Sequence, residues 1–186
     1  YSRTSPVEIL VNTNNPVYSS KDGGLFNKSQ TKLILYLGGK TGSYLIPDSV
    51  STIGSSSFSE CTSLTSVMIP DSVTNIEEYA FSDCTALIRV TIPDSVTVIG
   101  SSVFSKCTSL ANVSLGKSVT NLESFAFYEC TSLTNVSIPD SVTTIGSLAF
   151  CDCTSMINVT LGNSITSIGS SAFCSCTSLT SVSFQG

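Results

Sequence analysis

Eight cysteines are the residues of this chain with the most chemistry to offer, and six of them keep one spacing. Cys61, Cys84, Cys107, Cys130, Cys153 and Cys176 recur every 23 residues, each three positions after a Phe. The simplest reading is an inward-facing thiol ladder, because a free cysteine behaves as a small buried hydrophobe. Cys151 and Cys174 fall outside that column, in Phe150-Cys-Asp-Cys153 and Phe173-Cys-Ser-Cys176. They share the same period and so become spatial neighbours wherever the column stacks, which makes a disulfide between them a candidate, subject to Cβ geometry. Four thiols so close together also raise zinc. The C-x-C spacing departs from the usual ligand spacing, however, and inward ladder sulfurs cannot share a metal with outward ones.

The oxygen and nitrogen chemistry is thinner. Asp48, Asp71, Asp94 and Asp140 form an acidic column behind Pro, broken by Lys117 and Asn163. Stacked carboxylates repel unless they are solvated or bridged by a cation such as calcium. Pro-Asp is an ordinary turn pair, and the turn is the expected reading. The chain has no His, so the usual general base and the commonest metal ligand are missing. Ser and Thr are abundant, but no phosphate-loop or nucleophile-elbow pattern surrounds them. No catalytic residue, cofactor or metal is assigned, and enzyme activity is not expected.

The elements that must position these residues are short and repeated. A fixed period of 23 over six copies is the signature of a solenoid, each copy forming one coil. In the copy from Leu64 to Ala86, Val67-x-Ile69 alternates like a half-buried strand. Pro70-Asp71 then stops the strand, since Pro cannot donate to a ladder. Ala80-Phe81, followed by Cys84, is spaced like one or two turns of helix. The apolar positions recur as Leu64, Leu87, Leu110, Leu133, Met156 and Leu179, as Val67 through Val182, and as Phe58 through Phe173. Parallel strands lie ~4.8 Å apart, so these columns stack into one continuous core.

The L-x-x-V-x-I-P run with its A-F-x-x-C-x-x-L continuation resembles the BspA-like class of leucine-rich repeats. The nearest matches to the pattern are Ile92-Pro-Asp-Ser-Val-Thr-Val-Ile-Gly100 and Ile138-Pro-Asp-Ser-Val-Thr-Thr-Ile-Gly146. The resemblance implies an α/β solenoid, right-handed and curved, with a parallel sheet on its concave face and short helical turns on the convex face. It also implies a bacterial or protozoan cell-surface or secreted setting, with adhesion to host proteins.

The expected organisation is a single solenoid over residues 1–186, with 43–186 as regular repeats and 1–42 as irregular coils. In the irregular part, Val7-Glu-Ile-Leu-Val11 and Leu33-Ile-Leu-Tyr-Leu37 read as strands, and Asn14-Asn15-Pro16 and Asp22-Gly23-Gly24 read as turns. A separate capping domain is the alternative there. Tyr1 reads as a cut edge, and Ser181-Val-Ser-Phe-Gln-Gly186 ends inside a repeat strand, so a longer parent chain is expected.

Recognition falls to strand positions that point away from the core. Met68, Arg89, Asn112, Asn135 and Asn158 are the candidate ligand-binding residues. Arg89 is the preferred contact because Arg is enriched at interface hot spots. The three asparagines stack into an amide column, and with Asn27 they also stand in N-x-S/T sequons, which the repeat generates by itself. A net charge of −5 with eight basic residues argues against nucleic acid and anionic membranes. No apolar run approaches the ~18–20 residues of a membrane-spanning helix. The expected partner is an extracellular protein or glycan, and the expected state is a monomer unless the solenoid ends self-associate. A ligand-free spacer that displays another domain is the competing reading.

Overall fold

The computed structural model describes residues 8–39 and 41–184. It begins with an antiparallel meander of β1 (Tyr18–Lys21), β2 (Gly24–Asn27) and β3 (Lys32–Tyr36). Asp22 and Gly23 join the first two strands, with φ of 51° and 90°. Two central residues at positive φ make the tight turn that matches strand twist, and Asp-Gly is a favoured pair for it. The expected strand at 7–11 is absent: residues 8–11 join no ladder, and Val7 lies outside the described residues. Leu10 is exposed there, and Val11 N–H donates instead to the Ser20 side chain. Tyr1 and the last two residues also lie outside the described part.

From residue 42 the chain winds as a parallel β-solenoid. One side of each coil is a strand on the front face: β4 (Gly42–Leu45), β6 (Leu64–Met68), β8 (Arg89–Thr91), β10 (Asn112–Ser114), β12 (Asn135–Ser137), β14 (Asn158–Leu161) and β16 (Ser181–Phe184). The other side carries two-residue strands: β5 (Thr52–Ile53), β7 (Asn75–Ile76), β9 (Val98–Ile99), β11 (Asn121–Leu122), β13 (Thr144–Ile145) and β15 (Ser167–Ile168). The short strands join the meander in one sheet, in the order β1-β2-β3-β5-β7-β9-β11-β13-β15. The front face forms two ladders, β10-β8-β6-β4 and β12-β14-β16, which abut between β10 and β12. Val113 on β10 is half-buried at that seam, whereas Val90 and Val136 on either side are buried.

The expected helical turns do not form; no helix occurs among the described residues. The reason lies in the backbone hydrogen bonds. In one coil the amides of Tyr79, Phe81 and Asp83 donate to Ser101, Val103 and Ser105 of the next coil, at 3.0, 2.9 and 2.8 Å. The amides between them, Ala80, Ser82 and Cys84, donate three residues back, to Glu77, Tyr79 and Phe81. An α-helix needs every amide to bond four residues back. Alternating the two patterns yields a flat run of turns, with Tyr79 and Asp83 held at positive φ of 56° and 59°. A helix ~10–12 Å across could not repeat at a strand spacing of ~4.8 Å without bending the array.

Between the two sides lies the core. Phe58, Phe81, Phe104, Phe127 and Phe150 are fully buried and stack with Phe173 at ring separations of 4.8–5.4 Å and near-parallel planes. That spacing nearly equals the strand spacing, so front and back advance together. Tyr36 and Tyr44 prolong the stack at its N-terminal end, with rings 5.2 and 5.8 Å from Phe58.

Candidate functional site

The six period-23 cysteines face the core, five of them buried and Cys176 half-buried. Each is also a donor. The thiols of Cys84, Cys107, Cys130, Cys153 and Cys176 point at the carbonyls of Phe58, Phe81, Phe104, Phe127 and Phe150, at 3.0–3.2 Å. Each of these pairs is 26 residues apart, whereas Cys61 reaches the Tyr36 carbonyl over 25 residues at 3.6 Å. The meander therefore enters the solenoid one residue out of register. Burial pushes up the thiols of Cys107, Cys130 and Cys153, the last two well above the usual thiol range, which keeps the donating proton in place. The structure joins Cys151 to Cys174 as a disulfide, with Cα atoms 4.5 Å apart. A disulfide sulfur is no thiolate, so this pair supplies no zinc ligand in that state.

Two residues of the acidic column, Asp94 and Asp140, serve the turns. An Asp94 carboxylate oxygen accepts the Lys117 backbone N–H at 2.7 Å, and Asp140 does the same for Asn163 at 2.9 Å. These bonds fall where Leu-Gly replaces Ile-Pro. At Gly116 a Cβ would stand 2.3 Å from the Pro93 carbonyl oxygen, so only glycine fits the approach.

The front face places the candidate binding residues by register. Ser43, Ser66, Arg89 and Asn112 lie side by side across β4, β6, β8 and β10, and Leu45 lies beside Met68. Met68, Arg89, Asn112, Asn135 and Asn158 are all exposed. The structure brings Met68 and Arg89 together in a groove of about 490 Å³ with Ser43, Ser66, Ile69 and Thr91. Across the seam, Asn158 donates its amide to the Asn135 side-chain oxygen at 3.0 Å, while Asn112 stays with the first ladder. Asn27, the remaining sequon asparagine, accepts from the Thr31 and Lys32 amides and closes its own loop.

Two contributors to this face were not singled out from sequence. Leu45, 59% exposed, occupies the Met68 position one coil earlier, a signal visible in Leu45-Ile-Pro47 against Met68-Ile-Pro70. Lys117 lines a second groove of about 530 Å³ over the seam, with Val113, Ser114, Leu115, Pro139 and Asp140. Its departure from the acidic column was the available clue. The face strands contain no acidic residue, so the negative charge of the chain lies elsewhere. Neither Arg89 nor Lys117 has an ion pair; among the described residues the salt bridge is Lys32 to Glu77, at 2.6 Å.

Comparison with known proteins bears directly on this architecture. The family model for the BspA type leucine-rich repeat region matches residues 38–130 and 108–186, with six copies. The chain belongs to this family. BspA-type repeats are leucine-rich-repeat scaffolds, which generally serve as protein-interaction modules. No curated protein matches the sequence. Among solved structures, the chain is similar to a leucine-rich repeat protein of Treponema pallidum, at 29% identity and a TM-score of 0.78, covering 90% of this chain and 81% of that one. A leucine-rich repeat protein of Eubacterium ventriosum shares 30% identity at a TM-score of 0.73, over 93% of this chain and 53% of the other. The pneumococcal vaccine antigen PcpA shares the fold at 24% identity and a TM-score of 0.58; this chain covers 39% of it and is itself covered over 96%.

Proposed function

We propose that this BspA-type chain is a cell-surface or secreted recognition module that binds an extracellular protein through its front face. The observation that carries the reading is the clustering of exceptions. On three adjacent strands the outward-pointing rows, otherwise Ser, Thr and Asn, gather exposed Leu45, Met68 and an Arg89 that makes no ion pair among the described residues. Exposed thioether and guanidinium groups together supply apolar contact and directional donors, the combination enriched at binding hot spots. The rigid coil-to-coil ladder presents them with little conformational entropy left to lose on binding. Membership of a family of interaction scaffolds and the surface setting implied by the family resemblance support this reading. The spacer alternative draws on the second ladder, where Asn135 and Asn158 bond to each other and their row continues to Ser181 with no charged side chain.

The test is binding of the chain to a panel of extracellular-matrix proteins and glycans, beside a Ser66→Tyr, Met68→Asp variant that fills and charges the first groove. Saturable binding that the folded variant loses is the expected result. Unchanged binding by the variant would move the contact off this groove, and a folded chain that binds nothing on the panel would favour the spacer.

A further inference from the structure

The flat run of turns that leads from each short strand to the next front strand forms an outer edge of its own. Two large side chains there gain nothing from the core. Phe125 stands at φ 60°, a costly backbone for a bulky residue, and is 37% exposed, whereas one coil earlier the same position is Ser102. Tyr128, half-buried, likewise follows Ser105. Ser102 and Ser105 are themselves only 7% and 8% exposed, so solvent meets rings here and not hydroxyls. The Phe125 and Tyr128 rings lie 5.6 Å apart at 82°, an open aromatic pair. Beside it stand Glu129 and Asp152, which hold equivalent places on consecutive coils. Glu129, through a hydrogen bond and its charge, and Asp152, through its charge, raise the Tyr128 phenol, so both carboxylates act at that ring. Glu60, Glu78, Asp83 and Glu123 line the same edge. The cation among them, Lys106, lies between Asp83 and Glu129 in its column, makes no ion pair among the described residues, and leaves the edge negative.

We propose that this edge is a second docking surface, where Phe125, Tyr128, Glu129 and Asp152 receive an arginine-bearing segment of a protein partner. A guanidinium is planar and weakly hydrated, so it stacks on an aromatic face while its N–H groups pair with a carboxylate. The edge offers both halves of that recognition side by side. A metal cation takes oxygen ligands and gains nothing from the rings. A neutral glycan can stack on the rings but leaves the negative charge unanswered, and a sulfated one is repelled. The surface lies off the front face, and its occupant is independent of whatever the front face binds.

The probe is the fluorescein-labelled peptide Ac-Gly-Arg-Ser-Arg-Gly-Arg-Ser-NH2, followed by fluorescence anisotropy with the whole chain. Its counterpart with citrulline, uncharged and of the same shape, in place of every Arg should bind about tenfold more weakly, the scale of a lost charge-assisted contact. Phe125→Ser with Tyr128→Ser, and separately Glu129→Ser with Asp152→Ser, should each weaken the Arg peptide several-fold. Serine already fills these columns at Ser102, Ser105 and Ser175, so the coil keeps its own repeat residues. Asp48→Asn with Asp71→Asn removes the same charge from exposed positions elsewhere and should leave binding unchanged. Equal binding of the two peptides, no binding of either, or full binding by the aromatic double variant would overturn the proposal. An equal loss in the Asp48, Asp71 control would do the same, since it would mean attraction to net charge alone. So would spermidine, and not the peptide, showing the dependence on Phe125 and Tyr128. The front-face variant Ser66→Tyr, Met68→Asp should hold the Arg peptide unchanged; a loss there would put the peptide on the front face and sink this proposal while leaving the front-face reading intact.

Discussion

At Cys84, Cys107, Cys130 and Cys153 the sulfur fills a slot in the core and also donates its proton to a carbonyl one coil away. That carbonyl already accepts a backbone amide; the Phe81 oxygen, for example, takes Cys84 N–H at 3.3 Å and the Cys107 thiol at 3.2 Å. Alanine at 107 would lose the donor and leave a small void, at a cost of about 1–2 kcal/mol. Urea unfolding of Cys107→Ala would read this as a lower midpoint at unchanged slope. Burial raises the Cys107, Cys130 and Cys153 thiols, so the unfolded chain ionises first as pH climbs. Their contribution is complete below the ordinary thiol pKa of about 8.5 and declines above it. Iodoacetamide at neutral pH should accordingly leave the buried ladder thiols unmodified until the chain is denatured. The inward orientation of the column was legible from its period and its Phe neighbour. The donor role was not, because a partner 26 residues away follows from the path of the coil and from no local pattern.

Among the elements, the front strands follow directly from the L-x-x-V-x-I spacing, and the turn at Asp22-Gly23 from its Asp-Gly-Gly signal. The back of the coil misleads, because Ala80, Phe81 and Cys84 fit a helical face and a succession of turns equally well. Which one forms is decided by amides reaching the next coil, a non-local term invisible within one repeat. The same crowding between coils makes Gly116 intolerant of a side chain. A Gly116→Ala chain should lose about 2 kcal/mol, since the clashing atom is a backbone oxygen with nowhere to move. Comparison of thermal midpoints with an Ala111→Gly control would separate this clash from general glycine effects.

The whole molecule is a stack in which each coil touches its neighbours above and below, so its stability is a sum of coil interfaces. Among the described residues, two cross-links interrupt that simplicity. The Lys32–Glu77 pair, at 2.6 Å, ties the meander to the second short strand beyond it. Partial burial alone would raise the Glu77 carboxyl, but the Lys32 ammonium and the Ser55 N–H more than offset it and hold it below the usual range. A depressed carboxylate stabilises the fold above its unfolded pKa, about 4.3, and loses that contribution as pH falls through the folded value. Glu77→Gln should therefore be less stable than the parent at pH 7, with the gap closing toward pH 3 in denaturant titrations. This contact was not legible in the sequence, because Lys32 and Glu77 lie 45 residues apart and on either side of the register shift.

The second cross-link is Cys151–Cys174, 23 residues apart and joining consecutive coils. Closing a loop of that length stabilises by about 3 kcal/mol in the chain-entropy account. A tether pulled from both ends would feel this bond differently from a test tube. Coils peel one after another under tension, each releasing its folded length, but the residues between the two sulfurs stay out of the load path. Roughly 80 Å of contour, 23 residues at ~3.5 Å each, is withheld until the bond is reduced. Optical-tweezer extensions with and without reductant should differ by that length, so the redox state of the surroundings would set how far the stretched chain can reach.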